Sequence, residues 1–216
     1  MEITTRSRRA SIVALALCVG LSVRCNRVTD AATWLLVSDA EEDRIGDNLY
    51  AEMMADTTEY PEYDDSPELL AYVDSIGRVL VDHQTTRPET EDLQYDFTII
   101  DKDTVVNAFA IPGGHVFVYT GLVLAVRNEA ELAGVLAHEL AHITKRHGIE
   151  RLLQGKAADF AAGLILGDSS VVKKVVLGLA FLKMSRNDEY EADSCSIEYL
   201  ISSGYNPNGM RDFLNM

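Results

Sequence analysis

Residues 128–148 read NEAELAGVLAHELAHITKRHG, and the rest of the chain is understood from them. Asn128 followed three residues later by Glu131 is a helix-start signature, and Ala, Leu, Glu and Val carry the helix on until Gly148 offers a stop. Residues four apart in a helix stand one above the other on one face, so His138 and His142 can turn ring nitrogens toward a common point. Two imidazoles at roughly 2.0 to 2.1 Å suit zinc, and Glu139, one step round, can act as a base without ligating. The spacing supplies two metal ligands and a proton acceptor.

A catalytic zinc usually holds three protein ligands and keeps a fourth position for water, so one ligand is still to be found. An acid, a third histidine and Cys195 are the candidates. His147, five residues past His142, is rotated off the ligand face and reads as a helix C-terminal residue favoured by the dipole. His83 and His115 have no partner at ligand spacing, and Cys195 reads as a small buried hydrophobe. Residues 187–204 (NDEYEADSCSIEYLISSG) form a further helix, with Asn187 or Asp188 as its start and Gly204 as its stop. Glu189 and Asp193 share one of its faces, whereas Glu191 points away. Glu189 fits the third position best, because Asp193 one turn on can accept the N–H of a ligand histidine and fix its tautomer.

The whole chain of 216 residues carries 19 Lys and Arg against 34 Asp and Glu, a formal net charge of -15. That balance argues against nucleic acid as a partner and against adhesion to anionic membranes through basic patches. Cys18, Cys25 and Cys195 are too few and too scattered for a disulfide framework or a thiolate zinc cluster. Four arginines, Arg6, Arg8, Arg9 and Arg24, fall in the first 24 positions, and residues 11–23 are an uncharged apolar run of 13. This is the layout of an export leader over residues 1–25, and no other stretch reads as a membrane span. Leu21-Ser-Val-Arg-Cys25 resembles a bacterial lipoprotein processing site with Arg24 in place of a small residue. Lipidation of Cys25, cleavage nearby and an uncleaved N-terminal membrane tether all remain open.

Between leader and metal helix, residues 29–54 read as a helix built on Trp34, Leu35, Val37, Ile45 and Leu49. Residues 57–67 (TTEYPEYDDSP) read as a polar loop. Leu69, Leu70, Val73, Ile76 and Leu80 mark a support helix. Tyr95, Phe97 and Ile99 alternate as a strand, and residues 105–111 and 115–120 flank the Pro112-Gly113-Gly114 turn. A small antiparallel sheet beside the metal helix is expected, with an edge to which an extended peptide can add as one more strand. Asn107 and His115 are the polar positions on this hairpin and the candidate substrate contacts. Residues 157–184, rich in Ala, Gly, Leu and Val, read as a helical hairpin with a Gly-Asp-Ser-Ser turn; the alternative is an apolar flap over the cleft or a patch lying on a membrane.

His138-Glu-Leu-Ala-His142, the downstream Ser185-Arg-Asn-Asp-Glu189-Tyr-Glu-Ala-Asp193, Gly204-Tyr-Asn-Pro207 and the upstream Asn107-Ala-Phe-Ala-Ile-Pro-Gly-Gly114 together resemble the HtpX-like and CAAX-prenyl-protease-like zinc metallopeptidases. Within them the chain looks most like the soluble, exported bacterial members that act on envelope proteins. The resemblance implies an α+β, zincin-like fold, mostly helical, in a domain spanning residues 26–216 with its core at 69–214. It implies one zinc per chain held by His138, His142 and Glu189, Glu139 as catalytic base, Asp193 supporting the ligand shell, and Asn107 beside the cleft. The implied activity is endoproteolysis of misfolded or unassembled cell-envelope proteins, in the periplasm or tethered to a membrane, with a tyrosine or histidine elsewhere sharing the oxyanion. Exported relatives continue into helical repeats, whereas this chain ends at Met216, as either a minimal catalytic version or part of a longer frame. A zinc-stabilised, chaperone-like binding module without proteolysis is the alternative from another functional class.

Overall fold

The structure is a computed structural model that describes residues 37–90, 93–154, 163, 167–168, 170–172 and 184–215. The leader at 1–25, Cys25, Trp34 and Leu35 therefore lie outside the described residues, as does most of the expected hairpin at 157–184. Among the described residues no helix is long and apolar enough to cross a membrane.

The first helix, α1 (Asp39–Ala55), begins where Ser38 and Glu41 close a reciprocal capping box. After the loop comes α2 (Pro67–His83), with Ser66 accepting the Leu69 N–H and Pro67 in the first turn, where its missing N–H costs nothing. Next follow β1 (Asp96–Ile100) and β2 (Ala108–Ala110), a tight 3-10 turn at Pro112–Gly114, and β3 (His115–Tyr119). A short α3 (Thr120–Ala125) leads into α4 (Glu129–Thr144), which carries the histidine pair. The chain closes with α5 (His147–Gln154), α6 (Arg186–Ser202) and α7 (Gly209–Leu214).

The sheet is mixed rather than antiparallel. Its order is β1-β3-β2, with β3 parallel to β1 and antiparallel to β2. All five residues of β3 are buried, so its unbroken apolar run belongs in the centre of the sheet, where both faces are covered. One face puts Ile99, Val116 and Val118 into a core shared with α2, α4 and α6. The other packs Ile100, Phe117 and Tyr119 against Ile45, Leu49 and Met53 of α1 and against Ile149 and Leu152 of α5. At the hairpin turn Gly113 and Gly114 have φ of 85° and 95°, and a Cβ on Gly114 would run into the Gln94 carbonyl. On α4, Gly134 lets α7 approach so closely that a Cβ there would strike the Met210 backbone.

Three expected boundaries move. The helix expected from residue 29 has its cap at Ser38, which leaves Val37 outside it. Helix α4 ends at Thr144, and Gly148 lies inside α5; the break is Arg146, a non-glycine residue in the left-handed region at φ 60°. Helix α6 begins earlier than expected, with Ser185 as its cap in a box with Asp188.

What holds Arg146 in that conformation is its side chain. The guanidinium is buried, pairs with Glu42 of α1 at 2.7 Å and donates to the Val37 carbonyl at 2.7 Å. Glu42, itself 1% exposed, also takes Arg87 at 2.8 Å, and Arg87 reaches Asp39 at 2.6 Å. Two buried cations thus share one buried anion, and removing it leaves both without their main counter-charge. Glu42→Ala should lower stability by about 3–5 kcal/mol, read as a shift of the urea midpoint; a shift worth under about 1 kcal/mol would mean that the cluster does not fasten α1 to the α4–α5 turn.

Candidate metal centre and cleft

Helix α4 starts as the sequence indicates, with the Asn128 side chain accepting the Glu131 N–H at 3.1 Å. The Glu131 carboxylate, however, turns to Arg127 instead of closing the box, accepting from its backbone N–H at 2.8 Å and its Nε at 2.9 Å. Two turns on, His138 and His142 face the same way, both 6% exposed, with their Nε2 atoms 3.1 Å apart. Two ligands of one tetrahedral zinc at about 2.0–2.1 Å would stand roughly 3.3–3.4 Å apart, so the pair is close to ligating geometry.

The third donor comes from α6, which packs along α4. Glu189 lies 3.5 Å from His138 Nε2 and 3.9 Å from His142 Nε2, and donor atoms of all three residues fall within 4.8 Å of one another. Two imidazoles and a carboxylate, closely grouped and opening on a cleft, form the donor set that suits a catalytic zinc. Asp193, one turn past Glu189, stands 3.0 Å from His138 Nδ1, on the side of the ring away from the common point.

His147 stands elsewhere than expected. Because the chain reverses at Arg146, His147 is the first residue of α5 instead of the last of α4, and its Nδ1 sits 2.9 Å from His142 Nδ1. Glu191 faces this assembly, 3.5 Å from His147 Nε2, with its other oxygen 2.9 Å from Lys145 Nζ. Helical periodicity ran α4 straight through a break that no glycine marks and so misplaced His147; Glu191 does point away from the Glu189 face, and its partner there was hidden with His147.

The histidines and Glu189 stand at the floor of a cleft of about 490 Å³, whose lining also includes Glu139, Asn107, Phe109, Ala110, Tyr60 and Tyr119. Asn107 is thus at the cleft. His115 is not among the lining residues; its ring is tied to Asp96 at 2.6 Å, faces Asp47 at 3.6 Å and stacks on Tyr50, which suits a strut between α1 and the sheet. Tyr60 comes from the polar loop, where no pattern singled it out. That loop lies along β1, its Tyr63 N–H bonding the Ile99 carbonyl and its Pro61 carbonyl accepting from Asp101.

Along β2, Asn107 and Ile111 bond across to β3, so the intervening Ala108 and Ala110 direct their backbone groups away from β3, and Ala110 lines the cleft. The Ala110 N–H meets the Glu139 carboxylate there. Enclosure by protein, with the charge of Glu189 added, pushes the Glu139 carboxyl up to about 8, against the pull of that N–H. Burial also pushes His142 down to about 3, so the ring is neutral at working pH. Tyr119 is pushed up to about 12 by burial and Tyr60 is raised for the same reason, so both phenols keep their protons as donors. Cys195 is buried in the core, with its thiol raised by desolvation.

The model described as Peptidase family M48 matches residues 67–215. The beta-barrel assembly-enhancing protease of Yersinia pestis is 31% identical over 163 residues, covering 68% of this chain and 32% of its own length. The protein of that name from Escherichia coli K12 is 29% identical over the same shares. The mitochondrial metalloendopeptidase OMA1 of Schizosaccharomyces pombe is 34% identical over 124 residues, 56% of this chain and 36% of its own. The chain spans about a third of the length of these curated relatives.

The raised Glu139 carboxyl has a consequence for stability. Below its ordinary value of 4.5 the group is protonated whether folded or unfolded and costs nothing; as pH climbs toward about 8 the unfolded state loses its proton first, and the folded state pays an increasing penalty. In chelator-treated protein, Glu139→Gln should therefore raise Tm over wild type by an amount that grows between pH 4.5 and about 8. Parallel Tm curves for the two proteins would contradict it.

Proposed function

This chain belongs to peptidase family M48, and from that membership and the cleft we propose that it is a zinc metalloendopeptidase acting on misfolded or unassembled cell-envelope proteins. The observation that carries the reading is the grouping of His138, His142 and Glu189 beside Glu139 in an open cleft. A structural zinc needs neither an open side nor an adjacent acid. The envelope assignment rests on the relatives named beta-barrel assembly-enhancing protease and on the leader-like residues 1–25.

In this reading His138, His142 and Glu189 hold one zinc per chain, with Asp193 orienting His138. When bound, the ion supplies a Lewis acid that polarises the scissile carbonyl and acidifies water. Glu139 accepts the proton of the attacking water and passes it to the leaving amine. The backbone of Ala108 and Ala110 on the side away from β3 receives an extended substrate as one more strand, in the manner of β-augmentation. Asn107, Tyr60 and Tyr119 are the neutral donors lining the cleft that can meet the developing oxyanion.

Casein digestion with zinc measured on the same samples tests this reading. Glu139→Gln should keep about one zinc per chain and lose cleavage by at least ~100-fold, the lower bound for removing a general base. Zinc in both proteins with fragments from neither would contradict the peptidase reading and favour a zinc-stabilised binding module. Asp193→Ala should weaken zinc binding about 10- to 100-fold, measured by chelator competition, and unchanged affinity would remove Asp193 from the ligand support.

A further inference from the structure

The two histidines of α4 are supported differently. His138 has a carboxylate, Asp193, 3.0 Å from its Nδ1, whereas His142 has another imidazole, that of His147, 2.9 Å from its Nδ1. The second contact allows few proton arrangements. A neutral imidazole carries one N–H and one lone pair, and two ring nitrogens 2.9 Å apart hold together only when one of them carries the proton. Two N–H groups would clash, and two lone pairs would repel.

Which nitrogen carries it is decided one step further out. Glu191 lies 3.5 Å from His147 Nε2 and is held from its other oxygen by Lys145 at 2.9 Å. A carboxylate on that side favours the His147 proton at Nε2, which leaves His147 Nδ1 as an acceptor. His142 must then carry its own proton at Nδ1, and its Nε2 lone pair is left to accept from the facing His138 Nε2, 3.1 Å away, or to ligate an ion held between the two rings.

We propose that His147 and Glu191 are positioning residues that lock His142 in the Nδ1–H tautomer, so that its Nε2 is presented as a ligand. The inference rests on the reading of His138, His142 and Glu189 as the metal site. Helix α6 then serves both α4 histidines, directly through Asp193 and by way of His147 through Glu191. The left-handed turn at Arg146 acquires a function as well, since it brings His147 back beneath His142.

The test uses the full chain labelled with 15N-histidine, before and after removal of metal by chelation, together with zinc affinity from chelator competition. The wild type should show His142 protonated at Nδ1 and His147 at Nε2 even without metal. His147→Phe, which keeps the ring's bulk without the acceptor, should leave His142 as a tautomer mixture and weaken zinc about 10- to 100-fold. His147→Asn, which restores an acceptor near the Nδ1 position, should recover most of that loss. Glu191→Gln should shift the His147 proton toward Nδ1. A wild type with His142 protonated at Nε2, or a folded His147→Phe protein with wild-type zinc affinity, would overturn the proposal. His142 at Nδ1–H in a chain that binds no zinc would uphold the tautomer lock while overturning the metal reading beneath it.

Discussion

The contact of α6 with α4 is the constraint on which the site depends. A four-residue spacing aligns His138 and His142 without help from the rest of the fold, but the remaining donor and both carboxylates behind the rings arrive on α6. Their position is set by packing: Ala133, Ala137, Ala141 and Ala192 share one buried core, and such small side chains let two helices lie close. At the far end Tyr199 joins its hydroxyl to Thr144 at 2.7 Å and to Thr86 at 3.0 Å, which fixes how α6 lies along α4. A sliding of α6 by one helical turn would exchange Glu189 for Asp193 at the histidines.

The charged cluster around Glu42 works at the C-terminal end of α4. Burying Arg87, Arg146 and Glu42 together is expensive, and apolar residues of similar size are often as good for stability alone. Here the cluster has a geometric result, since it fastens a non-glycine residue in the left-handed region where the chain must reverse between α4 and α5. The reversal carries His147 to His142 and Gly148 and Leu152 to the cleft wall. Aromatic stacking continues this support through the sheet, from Tyr50 on Phe117 to Phe117 on Phe109, so that the strand bordering the cleft is backed by α1.

What could be read from the sequence followed the range of the signal. His138, Glu139 and His142 depend on helical periodicity alone, and Glu189 with Asp193 on the same periodicity in a second helix. All five stand together at the site. The mixed strand order was not legible because pairing is non-local, although the unbroken apolar run at residues 116–119 in β3 carried a hint that it sits centrally. His147 and Glu191 were hidden because the break at Arg146 arises from a distant ion pair with Glu42 and leaves no local mark. Tyr60 was hidden in a loop whose composition is polar, and its place in the cleft comes from backbone pairing of that loop with β1.

Zinc-edge X-ray absorption on the zinc-loaded chain tests the central claim most directly, because it reports ligand type and distance without reference to activity. A centre made by His138, His142 and Glu189 gives two imidazole nitrogens at about 2.0–2.1 Å, oxygen donors at about 2.0–2.2 Å and no sulfur. Sulfur scattering at about 2.3 Å would instead place a cysteine at the metal, and the account of α6 as the helix that delivers a carboxylate to the α4 histidines would be wrong.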